Sequence, residues 1–159
     1  MSAAYTAAGL AVIALNLLAA VVGAVSWQRN VPSVAFWYLL RAAQIATGFF
    51  VLFACVVYAT GYRASDELHY LYVFLPVAVS FLAELMRGAS ASQELGDRLS
   101  PREPKTSQEL GELFAGLDPD RQQTIGLAII RRETAVMTLA SFVIAFLIFA
   151  MCAASVALG

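Results

Sequence analysis

Ionisable and polar side chains recur at helical spacing within one long apolar segment, Asp66 to Arg87. At roughly 100° per residue, they fall within about a third of the helix circumference and form a single polar seam. Lipid cannot satisfy such groups, so an ionisable residue within a membrane is a functional candidate by default. We expect the seam to face other helices, water or a ligand. The seam comprises His69, Tyr72, Pro76, Ser80 and Glu84, and Arg87 continues it.

A second set of charged residues is predicted to meet at one end of the same helices. Arg41 lies about two turns into its apolar segment, where an unpaired charge is costly, so it either reaches the headgroups or pairs with Glu84 or Glu133. Two interpretations stay open for the whole set: an ionic lock between helices, or a positive site for an anionic lipid headgroup or small anion. This inner ionic cluster comprises Arg41, Gln44, Glu84, Arg87, Arg131, Arg132 and Glu133.

Sulfur and imidazole side chains could share one depth near the other end of the helices. Thiolate, thioether and imidazole suit Cu(I), and imidazole with thioether could ligate a haem iron. The single histidine excludes bis-histidine haem within one chain, and buried cysteine and methionine are usually packing residues. We therefore expect no cofactor, with a copper or haem site, or a disulfide between the two cysteines, as alternatives. The candidate ligands are His69, Cys55, Met151 and Cys152.

The elements that must position these groups follow from the composition. Hydrophobic residues make up 60% of the 159 residues and charged residues 13%, which indicates an integral membrane protein. Crossing the hydrocarbon takes about 20 apolar residues. The prediction is an all-α protein of one membrane domain, residues 1 to 159: a four-helix transmembrane bundle with a cytoplasmic helical extension between helices 3 and 4. The spans are residues 4 to 26, 34 to 60, 67 to 86 and 134 to 158, and the insertion is 88 to 123.

The first apolar segment is interpreted as a retained span and not as a signal peptide. No lysine or arginine precedes Arg29, and the apolar run exceeds the roughly 7 to 15 residues of a signal-peptide core. Small residues recur along it, as in helices that approach one another closely. Asn16 lies near mid-depth, and its amide is expected to bond to a neighbouring helix.

The distribution of basic residues predicts the orientation. Nine of the ten lie in or beside the first and third connections, and only Arg63 lies in the second. Basic residues favour the cytoplasmic side, so both termini are expected outside the cytoplasm of a bacterial-type plasma membrane. The net charge of −1 argues against a nucleic-acid surface.

The polar insertion carries helix signals of its own. Pro101 and Pro104 end the extended third helix. Thr106 and Glu109 form a capping-box pattern that opens a short amphipathic helix. Asp118, followed by proline, is expected to begin the helix that runs on through the fourth span.

No recognised catalytic motif points to an enzyme, since the chain has no Walker loop, dinucleotide fingerprint, H-E-x-x-H sequence or nucleophile elbow. The four-span plan is similar to that of the membrane-associated eicosanoid and glutathione enzymes. Of that family's glutathione-binding motif only Arg41 has a counterpart, and the third connection here is longer, so no activity is carried over.

The sequence favours a non-catalytic subunit or assembly partner of a larger membrane complex, because small-residue faces and a protruding helix suit contacts. The partners would be other membrane subunits or a second copy, together with the lipid bilayer. The alternatives are an oligomeric channel or transporter with a polar path along helix 3, and a haem or copper redox protein that uses His69.

Overall fold

The computed structural model describes the backbone of residues 3–61, 68–100 and 105–157, and the side chains of residues 4–61, 71–100 and 105–153. All regular structure in these ranges is helical, which confirms the all-α prediction. Four of the five helices are long and apolar enough to cross a membrane. The helices are α1 (Ala3–Arg29), α2 (Val34–Ala59), α3 (Leu68–Leu99), α4 (Ser107–Ala115) and α5 (Pro119–Ala157).

Helix boundaries follow local chemistry. The end of α1 is a Schellman turn: Asn30 has a left-handed φ of 54°, and the Val31 amide donates to the Ser26 carbonyl at 3.2 Å, which satisfies carbonyls that the helix leaves free. The Ser33 hydroxyl then accepts from the Phe36 amide at 3.2 Å and caps α2. The bundle end that holds this turn is called the extension end, and the opposite end the termini end.

The helix α5 takes part in most of the contacts between helices. It makes extensive contacts with α1 and α3, and α1 also contacts α2 along its length. The contact between α2 and α3 is much smaller. The helices are therefore arranged in the order α1, α2, α3, α5 around the bundle, and α2 and α3 share only a small contact area.

Two apolar clusters fill the bundle. The cluster near the termini end joins Tyr5, Phe50 and Ile148, and the cluster near the extension end joins Phe36 and Met137. Each takes residues from at least three helices, so burial of these side chains holds the helices together where lipid supplies no hydrophobic driving force.

A polar crosslink joins α1 to α2 inside the bundle. Asn16 is 1% exposed, and its Nδ2 donates to the Val12 carbonyl at 3.0 Å and to Thr47 Oγ1 at 3.2 Å. The Thr47 hydroxyl in turn donates to the Ala43 carbonyl at 2.8 Å. Asn16 thus bonds to a neighbouring helix, as its position in the first span predicts.

The helical extension consists of the end of α3 after Met86, α4, and the start of α5 before Thr134. At about 1.5 Å per residue, both long helices continue about 20 Å past their apolar segments. Leu110 of α4 is buried against α3. Its Cδ1 lies 3.9 Å from the position that an added Cβ would take at Gly96. The side-chain amide of Gln122 donates to the backbone carbonyls of Phe114, Ala115 and Leu117 at 3.1 to 3.2 Å. It thereby fixes the connection between α4 and α5.

The capping box predicted for α4 is present. Glu109 accepts a hydrogen bond from the Thr106 amide at 2.7 Å, and the Glu109 amide donates to the Thr106 hydroxyl at 3.3 Å. The hydrogen bonds that the Thr106 amide and, second, the Thr106 hydroxyl donate to the Glu109 carboxylate hold the pKa of Glu109 below its ordinary value of 4.5.

Candidate functional site

Glu84 is the hub of the charged residues at the extension end. Its Oε1 accepts hydrogen bonds from Arg41 Nη1 at 2.6 Å and from Gln44 Nε2 at 3.0 Å. Its Oε2 accepts from Arg87 Nε at 2.8 Å. Arg41 Nη1 also donates to Gln44 Oε1 at 2.7 Å. Both carboxylate oxygens are therefore engaged by side chains of α2 and α3.

A third helix joins this hub through Arg87. Its Nη1 lies 3.8 Å from Glu133 Oε2 on α5, and its guanidinium carbon lies 5.9 Å from the centre of the Trp37 ring on α2. Arg87 thus connects α3 to both neighbours at one level. A guanidinium stacked on an aromatic ring and paired with carboxylates keeps its charge compensated away from bulk water.

Helical periodicity explains why these residues meet. Arg41 and Gln44 are one turn apart on α2, and Glu84 and Arg87 are one turn apart on α3, so each pair projects from one face of its helix. The two faces meet where α2 contacts α3. We call Arg41, Gln44, Glu84, Arg87 and Glu133 the ionic hub.

The ionic hub is formally balanced, because two arginines face two glutamates. Arg131 and Arg132 were predicted to lie in the same cluster, and their charges would make it positive. In the structure, Arg132 contacts the protruding part of α3 and Arg131 contacts α1. The hub therefore has the composition of an interhelical lock, and its charge provides no special attraction for an anion.

Arg132 braces the extension instead. Its Nη2 donates to Gln93 Oε1 at 2.9 Å, and its Nη1 lies 3.4 Å from Glu94 Oε2 and 3.8 Å from Asp97 Oδ2. Glu94 also accepts from Arg98 Nε at 2.6 Å. This network ties the protruding ends of α3 and α5 together.

Arg131 faces α1. Its guanidinium carbon lies 5.9 Å from the centre of the Trp27 ring, and the side chain is exposed. Among the residues whose side chains are described, Arg131 forms no ion pair. Within the described part of the chain, it is thus a cation stacked on an aromatic ring without an acidic partner.

The helix 3 seam is turned toward the bundle. Pro76 is almost fully buried, and Tyr72, Ser80 and Glu84 are partly buried. Ser80 Oγ is buried and has no hydrogen-bond partner among the described residues. The side chain of His69 lies outside the described residues. At the level of Pro76 the seam is packed against neighbouring helices.

Three of the four candidate metal ligands lie at the apolar cluster near the termini end. Met151 is 1% exposed, and its Sδ accepts a hydrogen bond from the Tyr5 hydroxyl at 3.7 Å. Cys55 and Cys152 are not joined by a disulfide in the described part of the chain, and both pack against the apolar cluster near the termini end. No group of three or more His, Cys, Asp or Glu side chains that could hold a metal ion occurs among the described residues. His69, the fourth candidate, has no described side chain.

Sequence reasoning missed the aromatic and acidic partners of the arginines. Trp27, Trp37 and Glu94 are not among the candidate site residues predicted from the sequence. Glu94 and Arg98 have the (i, i+4) spacing of a helical ion pair, which could have pointed to a charged face on the extension. The stacking of Arg131 on Trp27 joins residues far apart in sequence and left no local signal.

No family model matches this chain, and no curated protein or solved structure is significantly similar to it. The arrangement of its own side chains is therefore the basis of the functional argument.

Proposed function

We propose that this protein is a non-catalytic subunit or assembly partner of a larger membrane complex, and that its helical extension contacts another protein. The observation that supports this most is the bracing of the extension. Two helices that continue about 20 Å past their apolar segments are tied together there by Arg132, Glu94 and Gln93. A protrusion that is already ordered loses little conformational entropy when a partner binds, which favours its use as a docking element.

The short helix α4 offers a contact point on this extension. Its capping box fixes the start of the helix, and Leu110 anchors it on α3. Leu113, one turn further on, is 42% exposed. An exposed apolar side chain on a well-defined helix can be buried by a partner protein, and its removal from water would favour binding.

The ionic hub supports the same role. Its charged groups are engaged with one another across α2, α3 and α5, so they hold helices in place. The packing of Pro76 gives no support to a polar path along α3.

Docking can be tested by substituting Leu113. The proposal expects that Leu113→Asp removes co-purifying subunits from the protein extracted in mild detergent, because a buried interface anchor is worth about 2 kcal/mol or more, roughly 30-fold in affinity. Gly111→Asp is the matched control: it introduces the same charge on the opposite face of α4, where an added Cβ meets open space. Native mass spectrometry reports the stoichiometry.

Two results would refute the proposal. One is a wild-type protein that is monomeric and without partners in native mass spectra recorded from its own membrane. The other is equal retention of partners by Leu113→Asp and Gly111→Asp, with circular dichroism showing both variants folded.

The orientation is part of the proposal, with both termini outside the cytoplasm and the extension inside. It is supported by the concentration of basic residues in the first and third connections. Single-cysteine variants in a Cys55→Ala, Cys152→Ala background provide the test. An impermeant maleimide should label Thr60→Cys in intact cells and label Lys105→Cys only after permeabilisation; the reverse pattern would invert the topology.

A further inference from the structure

A cavity lies at the extension end between α5 and the turn that joins α1 to α2. It has a volume of about 240 Å³ and is lined on one side by Trp27, Asn30 and Val31 and on the other by Leu127, Ile130 and Arg131. The apolar part of α1 ends next to Trp27, and the apolar part of α5 begins at Thr134. The cavity therefore lies where hydrocarbon gives way to lipid headgroups.

The cavity presents hydrogen-bond donors without acceptors of their own. Arg131 stacks on Trp27 and forms no ion pair with the described residues, in contrast to Arg132, which pairs with Glu94. Glu133 is two residues further along α5 and reaches Arg87 instead, so it does not neutralise Arg131. The side chain of Asn30 also lines the cavity and makes no hydrogen bond within the described part of the chain. An anionic oxygen group would complement both.

A second groove continues the same face toward the middle of the bundle. It has a volume of about 160 Å³ and is lined by Ile13, Leu17, Phe142, Ala145, Phe146 and Phe149. Its wall is almost wholly apolar. The two openings share one face of α5, because Leu127 and Ala145, Ala128 and Phe146, and Arg131 and Phe149 are each separated by about five helical turns.

We propose that this face of α1 and α5 binds one anionic glycerophospholipid, with its phosphate at Arg131 and Asn30 and an acyl chain that reaches the groove at Leu17 and Phe142. The distance supports this occupant. From Arg131 to Phe142, the first groove residue on α5, the helix axis advances about 16 Å, and one leaflet of hydrocarbon is about 15 Å thick. The cationic cavity and the apolar groove are thus one leaflet apart.

Charge and shape together select this occupant. A free phosphate ion would use Arg131 but not the groove, and a zwitterionic lipid would use the groove but would bring its own cation to Arg131. Juxtamembrane arginines attract anionic lipids, and here the guanidinium is held in place by the Trp27 ring. This inference concerns a lipid ligand and does not depend on the docking role of the extension.

Lipid titration of the delipidated full-length protein, followed by native mass spectrometry in dodecylmaltoside, tests the proposal. The probes are phosphatidylglycerol and phosphatidylcholine with identical acyl chains, and glycerophosphoglycerol, which has no chains. We expect phosphatidylglycerol to bind about fivefold or more tightly than phosphatidylcholine. Glycerophosphoglycerol should not compete at concentrations at which the intact lipid saturates the site.

Substitutions separate the two parts of the site. Arg131→Gln should weaken phosphatidylglycerol about fivefold and leave phosphatidylcholine unchanged. Asn30→Gly should weaken it less, and glycine retains the left-handed turn. Leu17→Trp places a larger ring in the groove and should weaken both lipids. Arg121→Gln, an exposed charge near the start of α5, and Leu52→Trp, on the exposed face of α2, are the matched controls.

Three outcomes would overturn the proposal. They are equal affinity for the two lipids, unchanged phosphatidylglycerol binding in Arg131→Gln, and displacement of the lipid by glycerophosphoglycerol at equal concentration. If Arg131→Gln does not fold, Arg131→Lys retains the charge but loses the planar fork. In that variant, binding should weaken for phosphatidylglycerol alone, and a parallel loss for both lipids would contradict the assigned phosphate contact.

Discussion

Replacing Gly23 with alanine is expected to destabilise the bundle, although alanine is the better helix former. A Cβ at Gly23 would overlap Thr138 Oγ1 and would lie 2.5 Å from Phe36 Cε2. Thr138 can change rotamer, but the Phe36 ring is 0% exposed and has no space to move into. Overpacking of this kind costs about 1 to 3 kcal/mol, while the gain in helix propensity is at most about 1 kcal/mol.

Gly48→Ala is the matched control for this substitution. Gly48 lies within α2, and an added Cβ there meets nothing within 4 Å. The same chemical change should therefore leave the stability unchanged or raise it by up to about 1 kcal/mol. The two glycines should respond with opposite signs, because only one of them is required for close approach of helices.

Thermal unfolding in a single detergent, followed by circular dichroism, measures the difference. At about 2 to 4 °C per kcal/mol for a chain of this size, Gly23→Ala should melt several degrees below the wild type and Gly48→Ala at or above it. Phe36→Leu should partly relieve the penalty in the double variant. Equal melting temperatures for the two alanine variants would refute the close packing of α1 against Phe36 and Thr138.

Three further predictions concern single side chains. Glu84→Gln should lower the stability by about 1 to 3 kcal/mol in the same assay, and more than Arg41→Gln does, since Glu84 has three partners and Arg41 is half exposed. A double-mutant cycle of Asn16→Ala with Thr47→Val should give a coupling of about 0.6 kcal/mol, and zero coupling would contradict the α1 to α2 crosslink. Because its capping hydrogen bonds lower the pKa of Glu109 below 4.5, the stabilisation they provide is present above that value and is lost as the pH falls through the depressed pKa. Hydrogen exchange of α4 should then accelerate in the wild type and show no such step in Glu109→Gln.

Local features of the fold could be predicted because neighbouring residues determine them. The four apolar runs, the Ser33 cap and the Thr106 capping box depend on composition and on spacings of three or four residues. The continuation of α3 to Leu99 was also foreseen, since no proline occurs between Arg87 and Pro101. Each of these depends on chemistry within one or two helical turns.

The partners of the charged residues could not be predicted in the same way, because they depend on how each helix is rotated about its axis. Arg41 and Glu84 were assigned to a similar depth, and the structure pairs them at 2.6 Å. Depth alone also grouped Arg131 and Arg132 with them. Adjacent residues on a helix point about 100° apart, so equal depth does not bring them to the same neighbour.

The run Arg131, Arg132 and Glu133 shows how consecutive charges can fix a central helix. The three side chains point in different directions around α5. In the order of the sequence, they contact Trp27 on α1, Glu94 on the protruding part of α3, and Arg87 at the ionic hub. Rotating α5 would misalign all three contacts at once, and sliding it would move arginines into hydrocarbon, where a charge is costly. A sequence that has the pattern of a simple basic boundary therefore sets both the depth and the rotation of the helix against which α1 and α3 pack.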